Sequence, residues 1–289
     1  MQRCVTFRRV ATLAGLGLVG FVLPARAQRP APLDPEKIRV CADPDNMPSS
    51  NDKLEGFENK LATLISQELK AKLEYVWYPT RRGYFRILNG MYCDLAMEVP
   101  AGLDMAGATK PYFRSGYYFV TRKGSGLEDI KSLADPRLKK LKIGVNIYTS
   151  DAENSPPAMA LSQYGVVGNL VGYSTFFDQE NRPEDIVNAV SKKDVDLAIA
   201  WGPLAGYYAK TSSVPLVLTP LPAKDSLSDV PFQYNIGIAV RRKDKEFRDS
   251  LEAVLTRKQP EVQAILKQYA VPMLPIEQGG EKGEAKASS

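Results

Sequence analysis

The chain opens with an uncharged run from Val10 to Leu23, preceded by Arg3, Arg8 and Arg9 and followed by Ala25-Arg26-Ala27. A basic flank, a short apolar stretch and an A-x-A site predict a cleavable export signal over residues 1–27. The alternative, a membrane anchor, needs roughly 20 apolar residues, more than this run offers. The residues around Arg8-Arg9 do not otherwise support twin-arginine export, which leaves general secretion ahead. Beyond a Pro-rich leader, apolar positions fall into two alternating periods. Residues 38–42 read as a strand, followed by a polar loop through Asp43, Pro44, Asp45, Asn46 and Pro48. Phe57, Leu61, Leu64, Ile65 and Leu69 share one helical face. Residues 73–78 form a second strand and 93–99 a third, after a short helix near 84–88. Strand, helix, strand, helix, strand predicts a parallel sheet with helices on its faces.

The same grammar returns in the second half, with a strand at 142–146, a helix marked by Ile186, Val187 and Val190, and a strand at 196–200. Asp94-Leu95-Ala96-Met97 before Pro100-Ala101-Gly102 is echoed by Asp196-Leu197-Ala198-Ile199 before Pro203-Leu204-Ala205-Gly206. The echo predicts two α/β halves; chance likeness of two buried strands is the alternative. A further strand over 233–241 precedes two amphipathic helices, with Phe247, Leu251, Val254 and Leu255 on one stripe and Val262, Ile265, Leu266 and Tyr269 on the next. A domain that leaves its sheet for a second domain and returns to complete the first explains this order. The division expected is 28–120 with 237–275 for the first lobe and 121–236 for the second. Residues 276–289, rich toward their end in Gly, Lys, Glu and Ala, read as a disordered tail.

Composition changes the picture chiefly by what it lacks. None of the 289 residues is histidine, which excludes Ser-His-Asp and Cys-His nucleophiles, His-ligated zinc or haem, and a histidine pH switch. The formal charge of +5 includes four arginines of the export signal, so the mature chain carries 34 positive against 33 negative residues. A nearly neutral chain with only short basic clusters does not predict nucleic-acid binding. No stretch of the mature chain is long and apolar enough for membrane insertion. Cys4 leaves with the signal, and Cys41 and Cys93 remain. In an oxidising compartment such a pair reads as a disulfide, with two separate buried thiols as the alternative.

No phosphate loop, dinucleotide fingerprint or C-x-x-C motif is present, and no cofactor or metal is expected. The loop beginning at Asp43 fails the calcium-binding EF-hand pattern, because Met47 and Leu54 stand where ligands are required. A non-catalytic binder with an open cleft is the reading left. Ligands of α/β sheets lie beyond the carboxyl ends of the strands, which selects Asp45, Asn46, Ser49 and Glu98 in the first half; Arg81 is a further cleft candidate there. In the second half it selects Thr149, Ser150 and Trp201. Thr149 and Ser150 either offer donors to an anion or simply cap a helix near Asp151. Trp201 is either a stacking platform in the cleft or an aromatic of the core or the interface between lobes.

Several segments resemble the type II periplasmic solute-binding proteins: Gly56-Phe57-Glu58, Thr109-Lys110-Pro111-Tyr112 before Tyr117-Tyr118-Phe119-Val120, and Ile236-Gly237-Ile238-Ala239-Val240. Within that group the chain is most similar to the methanol oxidation J proteins, quinoprotein-dehydrogenase-associated relatives of solute-binding proteins. Residues 39–48, Trp77-Tyr78-Pro79 with Arg81-Arg82-Gly83, residues 93–97 with 99–102, and residues 196–203 carry that likeness. It implies an α/β fold of two lobes, each a mixed, mostly parallel sheet flanked by helices. Two hinge crossings, containing Tyr117 and Tyr234, would join them. It also implies that Cys41 and Cys93 lie on adjacent strands, supporting their disulfide.

Two departures from amino-acid binders narrow the ligand. The Arg that clamps a ligand carboxylate is missing from residues 101–106, and Trp201 stands where an Asp holds the α-ammonium. A free α-amino acid is therefore not the expected ligand, since a desolvated carboxylate would lack its bidentate donor. The function the resemblance implies is a periplasmic accessory of a PQQ-dependent methanol dehydrogenase, and of its cytochrome c, in maturation or activation. The alternative is the substrate-binding component of an ABC permease for another small ligand.

Overall fold

The computed structural model describes residues 30–79, 83–102, 106–148, 154–178, 180–227 and 229–277. The export signal, Arg81, Thr149 and Ser150 lie outside the described residues.

The first lobe begins with β1 (Lys37–Ala42), the small hairpin β2 (Asp45–Asn46) and β3 (Ser50–Asn51), and α1 (Phe57–Leu69). It continues through β4 (Lys72–Trp77), α2 (Tyr84–Asn89), β5 (Leu95–Pro100) and β6 (Gly107–Ala108). The long β7 (Phe113–Arg122) leads into β8 (Ile143–Ile147), α3 (Pro156–Gln163), β9 (Leu170–Ser174), α4 (Asp185–Lys192), β10 (Leu197–Trp201), α5 (Gly202–Thr211) and β11 (Leu216–Pro220). The chain returns through β12 (Gln233–Val240) and ends in α6 (Lys245–Arg257) and α7 (Gln259–Gln268).

These strands join in the order β4-β1-β5-β12-β7-β10-β8-β9, with β11 beside β7 and β6 beside β12. Pairing is parallel for β1 with β4 and β5, and for β8 with β9 and β10. It is antiparallel wherever β7 or β12 takes part. Those two strands are the crossings. Residues 113–116 of β7 face β12, whereas Tyr117 to Thr121 face β10. In β12 the partner changes from β7 to β5 at Ile236. The molecule is thus a two-lobed α/β protein of the type II periplasmic-binding-protein fold.

Each lobe has its own core. In the first, the apolar stripe of α1 (Phe57, Leu61, Ile65) meets β1, β5, β12 and the inner faces of α6 and α7. Fully burying each of these side chains is worth about 1.5–3 kcal/mol. The second lobe packs Phe119, Ile143, Ile199 and Leu161 on one face of its sheet and Val120, Ile186, Val190 and Ala198 on the other. Cys41 of β1 and Cys93, just before β5, form a disulfide with their Cα atoms 5.5 Å apart.

The echo around Asp94 and Asp196 has a structural counterpart. Asp94 Oδ2 accepts from the Arg39 amide at 3.1 Å, and Asp196 Oδ2 accepts from the Lys142 amide at 2.7 Å. Each aspartate therefore stitches its strand to the parallel neighbour. Asp94 goes further, pairing in the interior with Arg39 at 2.7 Å and Arg241 at 2.9 Å.

Most predicted elements stand within two residues of their expected ends. The differences are instructive. The polar loop after β1 contains the β2–β3 ladder, and the second-lobe helix expected near Asp151 begins at Pro156 among the described residues. The sequence pattern did not predict β9, β11 or α5. After α7 the chain is strapped across both crossings: Leu274 N donates to Arg114 O, Ser115 Oγ donates to Pro272 O, and Glu277 is held by Arg114 and Asn235.

Candidate functional site

The carboxyl ends of β5 and β10 converge beside the crossings, and the side chains that meet there are Ser49, Glu58, Glu98, Tyr112 and Trp201. Ser49 reaches this point because the loop before α1 closes the start of the helix. The Phe57 and Glu58 amides donate to Pro48 O at 2.8 Å and Ser49 O at 2.9 Å. Asn59 Oδ1 accepts from the amides of Gly56 at 3.0 Å and Asn51 at 3.1 Å. The orphan donors of a helix N-terminus are thus satisfied locally. Only glycine fits at position 56, because a Cβ there would lie 2.1 Å from Ser49 O.

A bulge aims Glu98. Val99 faces Gly237 and Ala96 faces Ala239, so Met97 and Glu98 together span the single residue Ile238. Glu98 takes φ 53, in the left-handed region that disfavours side chains. Bulges re-aim a side chain in this way, and such strain persists where the surroundings hold it. Here Ser49 Oγ donates to Glu98 Oε2 at 2.6 Å and the Trp201 indole Nε1–H donates to Oε1 at 2.6 Å.

The Glu58 carboxyl also hydrogen-bonds to Glu98. Burial lifts Glu58 well above the usual carboxyl range, and the charge of Glu98, their shared hydrogen bond and the charge of Asp43 push the same way. Glu98 is raised by burial too, but its hydrogen bonds from Ser49, Trp201 and Glu58 oppose the rise. Two buried carboxyls in contact cannot both ionise. Of the two, Glu58 is lifted further, which makes it the group that holds a proton more readily. Tyr112 completes the group, its hydroxyl buried against both and made harder to ionise by that burial and by their charge.

Trp201 stands at the junction of β10 and α5, opposite Tyr117 in the ladder. Its ring lies 5.5 Å from Tyr117, edge to face, and 6.1 Å from Tyr234. Tyr117 and Tyr148 are hydroxyl to hydroxyl at 2.8 Å, and the Tyr234 hydroxyl donates to Pro231 O at 2.5 Å. Trp201 and Tyr234 each pack against the cores of both lobes. Trp201 thus sits where the two cores meet. Farther along α5, Tyr208 donates to Met47 O at 3.4 Å, and Tyr207 stacks on Tyr269 at 5.8 Å.

Of the residues selected from sequence, Ser49, Glu98, Trp201, Tyr117 and Tyr234 come together. Asp45 and Asn46 lie in the β2–β3 hairpin instead. Asp45 is exposed, and its carboxyl is raised by partial desolvation and by Asp43 and Asp52, while Arg182 of the second lobe opposes the rise. The sequence pattern does not mark Glu58 and Tyr112 as site residues. Glu58 had a legible signal, since it shares the face of Ala62 and Ile65, four and seven positions on. Among the described residues no group of three His, Cys, Asp or Glu side chains is arranged to hold a metal.

The arrangement sets a buried carboxyl pair against the Trp201 indole N–H, beside the rings of Tyr117 and Tyr234. That is equipment for recognition. No protein-family model matches the chain. Protein MoxJ of Methylorubrum extorquens is 30% identical over 265 residues, covering 87% of this chain and 86% of the relative. Among solved structures, the periplasmic binding protein XoxJ from Methylobacterium extorquens AM1 superposes with a TM-score of 0.67 at 35% identity, covering 83% of this chain and 100% of that one. MxaJ from Methlophaga aminisulfidivorans MPT superposes with a TM-score of 0.69 at 29% identity, covering 82% of this chain and 100% of that one. Kinship of this extent, on a shared two-lobed frame, places the chain in the MoxJ family of periplasmic-binding-protein-like proteins.

Proposed function

We propose that this chain is a periplasmic accessory of a PQQ-dependent methanol dehydrogenase, assisting the maturation or activation of the enzyme rather than catalysing a reaction itself. The observation that carries this reading is its similarity to Protein MoxJ over 87% of the chain. The site supports it: the Trp201 indole N–H and Glu98 bond to each other across the lobes, which suits a protein that engages a partner better than one that carries a solute. The crossings in β7 and β12, with Tyr117 and Tyr234 beside Trp201, are the hinge in this reading. Lobes divided at 120/121 and 236/237 would move about it.

The test is capture from periplasmic extract with the tagged full chain. Recovery of the methanol dehydrogenase or its cytochrome c is the expected result. Their absence, together with a small molecule that survives purification and appears in native mass spectra, would replace this reading with an ABC-transporter solute binder.

A further inference from the structure

We propose that Glu98, Tyr117 and Tyr234 form an indole site whose resident ligand is the chain's own Trp201, so that a side chain of one lobe occupies the other as a bound solute would. The first lobe builds the acceptor. Ser49 takes Glu98 Oε2 at 2.6 Å, and Oε1 is directed at the second lobe, where the indole N–H meets it at 2.6 Å. The bulge and the left-handed backbone at Glu98 serve this aim, since a regular strand would carry the side chain elsewhere. Walls come from both crossings, with Tyr117 edge-on at 5.5 Å and Tyr234 at 6.1 Å. The indole lies against both cores, as a ligand closing two lobes must.

The backbone fixes this ligand in place. A Cβ on Gly202 would lie 2.4 Å from Ser115 Oγ and 2.9 Å from Gly116 O, so the start of α5 is pressed onto β7 with Trp201 beside it. A tethered group of this kind has an effective concentration on the order of millimolar or above. A free competitor must supply its own N–H donor and flat apolar body and also overcome that tether. The proposal concerns the occupant of the cleft and is independent of which partner the protein serves.

The direct experiment uses the full-length Trp201→Gly variant, titrated calorimetrically with indole and with 1-methylindole, which has no N–H. Indole is expected to bind the variant and raise its Tm while leaving the wild type unaffected. 1-Methylindole is expected to bind at least about tenfold more weakly, the factor for one hydrogen bond to a charged acceptor. A folded variant that binds both equally, or neither, overturns the proposal. Should Trp201→Gly not fold, the wild type decides the matter, because its other tryptophan, Trp77, is 36% exposed and serves as a reference. With 15N-labelled indoles, the Trp201 N–H is expected to exchange with solvent at least about tenfold more slowly than that of Trp77. Equal exchange overturns the proposal.

Discussion

At the scale of single residues, the unusual feature is a carboxyl pair kept in the interior at the cost of desolvation. Glu58 holds its proton well above the usual carboxyl range because it is buried, with the charge of Glu98 adding to the effect. In the unfolded chain it would release that proton near its ordinary value of 4.5. Its contribution to stability is therefore fully present below about pH 4.5 and is lost as pH rises toward the folded-state value. The variant Glu58→Gln keeps a hydrogen-bond donor to Glu98 and cannot ionise. Its stability relative to wild type should rise as pH increases from 4.5 to 8, as measured by urea unfolding across that range. A flat difference would show that Glu58 is already ionised in the folded protein. Glu98 was selected from sequence by its place at the end of a strand, but its bulge was invisible. Alternation of Leu95, Met97 and Val99 reads as a regular strand, and only the register against β12 reveals the extra residue.

At the scale of elements, the buried parallel strands were legible because their apolar runs are short and bounded by turn residues. The edge strand β9 was not, since Gly172 and Tyr173 break its alternation and the strand is only half-buried. Helix α5 was hidden by Gly202, Pro203 and Gly206. Pro203 falls in the first turn, where no amide is needed. Gly206 lets the segment after α7 approach, for a Cβ there would lie 2.1 Å from Ala270 O. Alanine normally favours a helix by about 1 kcal/mol over glycine. At this position Gly206→Ala should instead destabilise by about 1–3 kcal/mol through overpacking, a sign reversal that chemical denaturation will show. The Cys41–Cys93 disulfide closes a separation of 52 residues, worth about 4 kcal/mol on the chain-entropy model. Reduction should lower the denaturation midpoint accordingly, and an unchanged midpoint would contradict that entropic role.

At the scale of the whole molecule, two lobes, two crossings and a C-terminal strap surround the contact between Trp201 and Glu98. The alternation of strands and helices, the Asp94 and Asp196 echo and the return of the chain through β12 make the architecture legible in the sequence. The closure itself was not legible, because it depends on Glu98 and Trp201, 103 positions apart, meeting through tertiary packing. Calorimetric titration with the standard α-amino acids should detect no binding to the wild-type chain, and micromolar affinity for any of them would contradict a self-filled cleft. The central claim concerns the cell, and it is tested most directly by the specific activity of the PQQ-dependent methanol dehydrogenase in periplasmic extract from a strain lacking this chain. The account predicts that activity falls while the enzyme polypeptide is still made, and that it returns when the wild-type chain is supplied. Full activity in the deletion strain would contradict the account.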